Sequence, residues 1–516
     1  MKRITALLLA VALSLGCVNA ALADGIDIKV KGQWDFAFGW AKNTVFKDSI
    51  HGDTGDRDND NFFARQRIRT QIDFITSEYL QGVLMFEIGD IEWGGTYGGS
   101  ARAGRGNGGG IDADGVNIET KRAYLDWIIP NTPVSVRMGI QGLKLPSTPM
   151  GSPLFDTDVA GIVVSSPITD WLSMTALWIR PFDAYANDGF DNSFSDEVDA
   201  FGLLLPMQFD GLSITPWGVY SWVGANSGIY DYVFASRGTH ENSVTAQNSR
   251  TKAWWVGTHL ELTVLEPLVF NFEAIYGQLR PADLTGYAHG DGFSGLQKDW
   301  SLSNRLGTKG WYLGATLDYK LDWMTPGIFG WWASGDSAND DHTGYYGRMP
   351  VLGNDGGSFY PTTFGTAGTY AIGTDGAISG SGTGTWGIGI QLADVSFIED
   401  LSHTLRFAYY RGTNDSDLVK KGFVHGGDST GAGIMNTSRY STDALYLTNK
   451  DSVFEINFDH RYDIYENLAA IIELGYIHLR SDKDVWKHQS NKVGLRGQHD
   501  ENENAWKAQV NFSYSF

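Results

Sequence analysis

The sequence predicts an all-β chain: a transmembrane antiparallel β-barrel of eighteen strands, with sixteen as the alternative, and with short periplasmic turns at one end and long extracellular loops at the other. Three observations predict it. Apolar and polar residues alternate with a period of two in segment after segment. The connections between those segments are alternately short and long. After the first 23 residues no apolar run approaches the roughly 20 residues that a spanning helix needs.

The first segment, "MKRITALLLAVALSLGCVNAALA", reads as an export signal. Lys2 and Arg3 form its charged region, Ile4 to Leu15 its apolar region, and Ala21-Leu22-Ala23 a small-residue cleavage site before Asp24. The expected organisation is a cleaved signal over residues 1–23 and a single barrel domain over 24–516. Cys17, the only cysteine, lies inside the signal, where "SLGC" offers a competing lipoprotein site. With Ala23 as the cleavage site, the exported chain has no cysteine and no disulfide. Loss of Lys2 and Arg3 takes the formal charge from −21 to −23, which argues against nucleic acid as a partner.

The mature chain opens with "IKVKGQWDFAFGW", which puts Val30, Trp34, Phe36, Phe38 and Trp40 on one face and Lys29, Lys31, Gln33 and Asp35 on the other. "FARQRIRTQIDFI" follows, with Arg65, Arg67, Arg69, Gln71 and Asp73 opposite Ile68, Ile72 and Phe74. In "VLMFEIG", Leu84, Phe86 and Ile88 oppose Glu87. The pattern recurs in "RAYLDW", "VSVRMGIQ", "WWVGTHLELTVL", "VFNFEAIYG", "WYLGATLDY", "WGIGIQL", "HTLRFAYYR", "SVFEINFDHR" and "AAIIELGYIH". It is less regular near 198–206, 211–222 and 327–334. The chain ends on "AWKAQVNFSYSF", with Trp506, Ala508, Val510, Phe512, Tyr514 and Phe516 on one face.

Short connections include "PNTP" at 130–133, "DG" at 210–211, "EP" at 266–267, "DWMTP" at 322–326 and a link around Glu466 and Asn467. Nine long ones lie near 42–60, 94–116, 142–159, 183–195, 224–250, 281–309, 335–384, 412–450 and 481–504, which implies eighteen strands when both termini share a side. A soluble sandwich would turn the apolar faces inward. Here those faces are rich in Trp, Phe, Tyr and Leu, while the opposite faces carry Arg, Glu and Asp. Lipid outside and water inside satisfy both, and closure pairs every strand edge, as a bilayer demands.

The signal, the nine-hairpin rhythm and the terminal "VNFSYSF" resemble the outer-membrane porins, in particular the homotrimeric ones of 16 or 18 strands. The resemblance implies a bacterial outer-membrane channel for small hydrophilic solutes and ions, crossed by passive diffusion. A substrate-selective channel for a sugar or small anion is the alternative. It also implies a homotrimer, outer-membrane lipid and lipopolysaccharide as surroundings, and a terminal signal read by the barrel assembly machinery, carried here by Phe512, Tyr514 and Phe516.

In such porins one long loop folds inward. The third connection, "GLKLPSTPMGSPLFDTDVAG", is the expected constriction loop, with Asp156 and Asp158 as its carboxylates. Facing them are expected Arg65, Arg67 and Arg69, whose mutual repulsion calls for an aqueous lumen, together with Arg122, Arg137 and Arg406. Glu87 and Asp126 are acidic neighbours on the same wall. Carboxylates predominate on the later wall, where Glu261, Glu273, Asp318, Glu455, Asp459 and Glu473 fall on the lumen face. A cationic wall opposite an anionic one would set a transverse field, and the overall charge leans toward cation passage.

The acidic run "DTGDRDNDN" lacks the glycine and distal glutamate of an EF-hand. It is read as a solvated loop, with a Ca²⁺ or Mg²⁺ loosely held by Asp56, Asp58 and Asp60 as the competing reading; no other cofactor is implied. The segment 335–384 is long for a structureless loop, so a hairpin, a lid or an inward fold is expected. No nucleophile motif or metal-ligand spacing points to an enzyme. Tyr124, Trp255 and Tyr312 are the aromatic residues on the lumen face that a sugar-stacking channel would use.

Overall fold

The computed structural model describes residues 26–42, 60–94, 109, 118–183, 197–225, 227, 229, 245–246, 250–285, 305–337, 345–352, 359–366, 378, 380–420, 446–486 and 504–516. The expected export signal, Asp56 and Asp58 lie outside them. Of Asp60 only the backbone is described, opposite Lys42.

Each alternating run becomes a strand. From the N-terminus these are β1 (Asp27–Lys42), β2 (Asp60–Ser77), β3 (Leu80–Glu92), β4 (Ile118–Ile128), β5 (Ser135–Lys144) and β6 (Asp156–Pro167). Then come β7 (Ser173–Asp183), β8 (Glu197–Leu204, resuming as Met207–Phe209), β9 (Leu212–Val223), β10 (Thr251–Leu262), β11 (Leu268–Thr285) and β12 (Arg305–Tyr319). The last six are β13 (Thr325–Ala333), β14 (Thr385–Ile398), β15 (Leu401–Gly412), β16 (Ser452–Tyr465), β17 (Leu468–Arg480) and β18 (Asn504–Ser515). The break in β8 falls at Pro206, which has no amide hydrogen for the ladder.

Every strand pairs antiparallel with the next, and β1 pairs with β18 from Gln33↔Ser515 to Lys42↔Trp506, so the sheet closes as an 18-strand barrel. Gly32 and Phe516 exchange backbone hydrogen bonds of 2.9 and 3.1 Å at the seam. Trp34 stands edge-on to Tyr514 and Phe516, with centroids 6.3 and 6.4 Å apart. The glycine at position 32 has a local reason, because a β-carbon there would meet the Phe516 ring.

The outward face is apolar and exposed, as at Ile328, Ile388 and Ile390, and it carries aromatic residues toward both ends. Trp171 stacks on Phe209 at 5.6 Å and Trp323 lies 5.2 Å from Phe397 on the short-turn side. On the long-loop side Trp40 lies 4.9 Å from Phe62, and Tyr276 4.8 Å from Trp311. This is the band-and-girdle surface of a bilayer-spanning barrel.

The irregular stretches have a structural cause. On β7 to β9 and β13 the inward face is apolar too, with Leu177, Ile179, Val198, Ala200, Trp217, Val219, Phe329 and Trp331 all buried. Apart from the Arg180–Asp199 cluster at the long-loop ends of β7 and β8, the outer face of these strands meets lipid and the inner one meets loops folded into the barrel, so alternation fades.

Candidate functional site

The lumen is shaped first by the β5–β6 hairpin. β5 and β6 pair with each other along Ser135–Lys144, yet β4 accompanies β5 only as far as Ile140, and β7 accompanies β6 only from Ala160. Residues 141–144 and 156–159 therefore leave the wall together. The departure starts at Gly139, opposite Gly161, where φ is 129° and a β-carbon would strike the Ala123 carbonyl; glycine adopts this conformation at little cost. The tip, 145–155, crosses the interior, with Leu145, Met150, Leu154 and Phe155 buried. There the Thr148 amide donates to Glu273 Oε2 (3.1 Å) on β11, six strands around the barrel.

A second segment, 359–366, also folds inward. The amides of Phe364 and Gly365 donate to Glu455 Oε1 (3.2 and 3.0 Å), and that of Thr363 to Asn457 Oδ1 (3.2 Å). Lys507 Nζ donates to the Thr363 carbonyl. The two loops meet where the Tyr360 amide donates to the Met150 carbonyl (2.8 Å), and Phe359 packs against Tyr312 and Trp331. Of the three expectations for 335–384, the described part takes the inward one.

These loops change what the acidic wall does. Glu261, Glu273, Asp318, Glu455, Asp459 and Glu473 all point inward, but Glu273, Glu455 and Glu473 are 0% exposed. Glu473 accepts from Gln509 Nε2 and lies 3.6 Å from Lys507 Nζ. Asp459 is covered as well, held by Arg406 Nη1 (2.8 Å) and Thr363 Oγ1 (3.3 Å). An open anionic wall is therefore corrected to a set of buried anchors. Only Glu261 and Asp318 keep part of their surface, the latter accepting from Gln391 Nε2 (3.0 Å). Trp255 and Tyr312 are likewise fully covered, Trp255 Nε1 donating to the Pro350 carbonyl (2.8 Å).

The other wall stays polar. Arg67 is bidentate to Asp90 (2.6 and 2.7 Å), and Arg69 Nε donates to Glu87 Oε2 (2.6 Å). Lys121 bridges Glu87 (3.3 Å) and Asp158 (3.0 Å), and Asp158 accepts from Arg122 Nε (2.7 Å). Asp156 pairs with Lys144 at 3.3 Å. Arg137 is bidentate to Asp126 (2.6 and 2.8 Å) and lies 4.5 Å over the Tyr124 ring; Arg65 lies 5.3 Å over Phe63. Below the hairpin, Gln81, Asp126, Arg137, Gln141 and Leu143 line a cavity of about 530 Å³.

Two expectations are corrected here. Asp156 and Asp158 sit on the detached start of β6, not on the connecting loop, and Asp158 joins the arginine wall sideways through Lys121 instead of opposing it across a gap. The strict alternation also missed Lys121 and Asp90. Each adjoins a register shift, at Met85/Phe86 in the β3–β4 ladder and at Gln66/Ile68 in the β2–β3 ladder. Such a bulge breaks the period of two that assigns faces from sequence.

A closed barrel with a lipid-facing belt and aromatic girdles is the architecture of an outer-membrane-type β-barrel. The chain is a porin-like outer-membrane β-barrel. No family model matches this porin-like chain, and no curated protein matches it. Among solved structures it is similar to OpdQ of Pseudomonas aeruginosa, at 10% identity over 95% of this chain and 97% of that one, with a TM-score of 0.46. It is also similar to OccAB1 of Acinetobacter baumannii (11% identity, 94% and 97% covered, TM-score 0.47). A BenF-like porin of Pseudomonas fluorescens Pf-5 is similar at 8% identity, with 95% and 98% covered and a TM-score of 0.47. The strand count and closure are read from this chain's own pairing.

Proposed function

We propose that the protein is a substrate-selective outer-membrane channel for small hydrophilic solutes that carry an anionic group. The observation that carries this reading is the infolding of residues 145–155 and 359–366, which fills the lumen face of the later strands and leaves the passage along the wall of β2 to β5. There Arg67, Arg69, Arg122 and Arg137 keep between 18% and 41% of their side-chain surface exposed, while Glu273, Glu455 and Glu473 are withdrawn. Asp90, Glu87, Asp158 and Asp126 hold these guanidinium groups in place and offset much of their charge, so the preference for anions rests on the guanidinium N–H donors that those carboxylates leave unused along a narrow aqueous path. Trp255 and Tyr312 are covered and Arg137 lies over the Tyr124 ring, which speaks against sugar stacking, and a narrowed lumen speaks against a wide, unselective pore. Assembly as a homotrimer, insertion by the barrel assembly machinery and the absence of enzymatic activity belong to the same reading.

Planar-bilayer recordings in a salt gradient test it. The expected result is an anion-leaning reversal potential and concentration-dependent block by acetate or succinate, but not by neutral sugars of similar size. Arg67→Gln with Arg69→Gln should move the reversal potential toward cations and weaken the block by about tenfold or more, the loss expected for one or two charge-assisted hydrogen bonds. Cation preference in the unaltered protein, with free passage of neutral sugars, would return the reading to an unselective diffusion pore.

A further inference from the structure

The outward face of the barrel carries a cationic patch that the channel reading does not use. Lys252 on β10, Arg280 on β11 and Lys309 on β12 lie on adjacent strands near the long-loop end. All three point away from the lumen, since Ala253, Leu279 and Thr308 beside them are buried inside. The register groups them. Ala253 is opposite Leu279, which sets Lys252 beside Arg280, and Gln278 is opposite Lys309. At strand spacings of about 4.8 Å the patch is roughly 10 Å wide.

Three features distinguish it from an ordinary solvated edge. Among the described residues, no carboxylate forms an ion pair with any of the three, and the described outward side chains of β9 to β13 include no Asp or Glu. Arg180, two strands before β9 on the same outer face, is different: it is saturated by Asp199 (2.9 Å), Asp183 (3.5 Å) and Glu197 (3.7 Å). Aromatic side chains also orient the patch. Lys309 Nζ lies 4.6 Å from the Tyr345 ring centroid, Lys252 Nζ lies 6.0 Å from that of Tyr220, and the Tyr345 hydroxyl accepts from Gln278 (2.7 Å). Directly toward the membrane centre is a continuous aromatic shelf, in which Trp254 lies 5.2 Å from Tyr276 and Tyr276 lies 4.8 Å from Trp311. Long loops mark this end as the extracellular one, so the patch stands at the headgroup level of the outer leaflet.

We propose that Lys252, Arg280 and Lys309, with the Trp254–Tyr276–Trp311 shelf below them, form a binding site for a phosphorylated glycolipid of the outer leaflet. The cations receive its phosphate groups, and the aromatic rings take the sugar and the first part of the acyl chains. Cations with no carboxylate partner among the described residues, beside an apolar belt, suit an anionic headgroup, whose charge they neutralise where water is already thinned. A second copy of this chain suits the patch less well, because it would need an outward acidic surface at the same level, and the acidic cluster described there, Asp183, Glu197 and Asp199, is already engaged by Arg180.

The test uses the full chain in detergent, titrated with lipid A in its bisphosphorylated and dephosphorylated forms and with phosphatidylglycerol, and read by native mass spectrometry, which also counts subunits. Retained lipid should require the phosphates, should fall with added salt, and should exceed phosphatidylglycerol. The combined variant Lys252→Gln, Arg280→Gln, Lys309→Gln should lose about tenfold or more in affinity, while Arg67→Gln with Arg69→Gln, inside the lumen, should not. Each single variant is measured as well, with heat-dependent gel mobility as the check on folding. Equal retention of the dephosphorylated lipid, equal retention of phosphatidylglycerol, or unchanged binding by the folded variants would overturn the proposal. So would variants that change only the subunit number.

Discussion

Glu455 is the strongest single hold on the second infolded segment, and Glu455→Ala tests whether that segment sets the width of the passage. The carboxylate is 0% exposed and accepts four hydrogen bonds: from the Phe364 amide (3.2 Å), the Gly365 amide (3.0 Å), Asn457 Nδ2 (2.8 Å) and the Tyr410 hydroxyl (3.0 Å). Two of these tie the loop itself. At about 1–3 kcal/mol for each buried amide left without its acceptor, their loss weakens docking by about 2–6 kcal/mol. What remains is burial of Phe359 and Phe364, about 1.5–3 kcal/mol each, with the bonds from Thr363 to Asn457 and Asp459, from the Tyr360 amide to the Met150 carbonyl and from Lys507 to the Thr363 carbonyl. The loss is a large share of the total, and the rest must still offset the entropy of ordering the segment, so the loop should exchange between docked and released states instead of staying docked. Single-channel recording should then show a second, larger conductance level. Glu455→Gln keeps an acceptor for both amides and should stay near the original level. Gly365→Val drives a side chain against the Tyr410 hydroxyl and Glu455 and should behave like the alanine variant. A single, unchanged conductance in Glu455→Ala, with Gly365→Val altered, would mean that packing and not the carboxylate holds the loop.

Two further expectations concern closure and the cap at the long-loop end. Deleting Phe516 removes its two backbone bonds to Gly32 and its edge contact with Trp34; a loss of about 1–3 kcal/mol should lower the temperature at which the folded barrel shifts on a denaturing gel, and an unchanged shift would show that the seam does not limit stability. In the cap, buried Asp451 accepts from the Thr448 amide (2.8 Å), the Asp482 amide (2.8 Å) and Trp486 Nε1 (3.1 Å). Burial raises its carboxyl above the ordinary aspartate value, more than these bonds lower it. The folded cap thus favours the protonated acid: this contribution is complete below the unfolded-state value and is lost as pH rises through the folded one. Hydrogen exchange in 446–451 and 481–486, corrected for intrinsic rates, should show weaker protection at about pH 8 than at about pH 4, and Asp451→Asn should abolish that difference.

Much of the architecture was legible in the residues themselves. Val30, Trp34, Phe36 and Phe38 against Gln33 and Asp35 define β1 and its two faces, and Trp506 to Phe516 define β18, because a strand between lipid and water has to alternate with a period of two. The turns "PNTP" and "DG" mark strand ends through local chemistry; Asn131, for example, takes the positive φ of 61° that asparagine tolerates. Arg65, Arg67, Arg69, Arg137 and Arg406 were placed on the lumen side by the same parity, and the structure puts each of them there.

The sequence by itself therefore determined the barrel and the facing of most of its side chains, since these follow from each residue's own solvation and its immediate neighbours; it favoured eighteen strands over sixteen, and the closing pair of β1 and β18 fixed the number. Only the tertiary structure decided what fills the lumen. That Thr148 reaches Glu273, or that Phe364 and Gly365 reach Glu455, depends on bringing together segments about a hundred residues apart, and nothing in a period-two pattern encodes such a contact. For the same reason Glu273, Glu455 and Glu473 look like pore carboxylates in the sequence and are covered anchors in the fold: alternation tells which way a side chain points, but not what has folded over it.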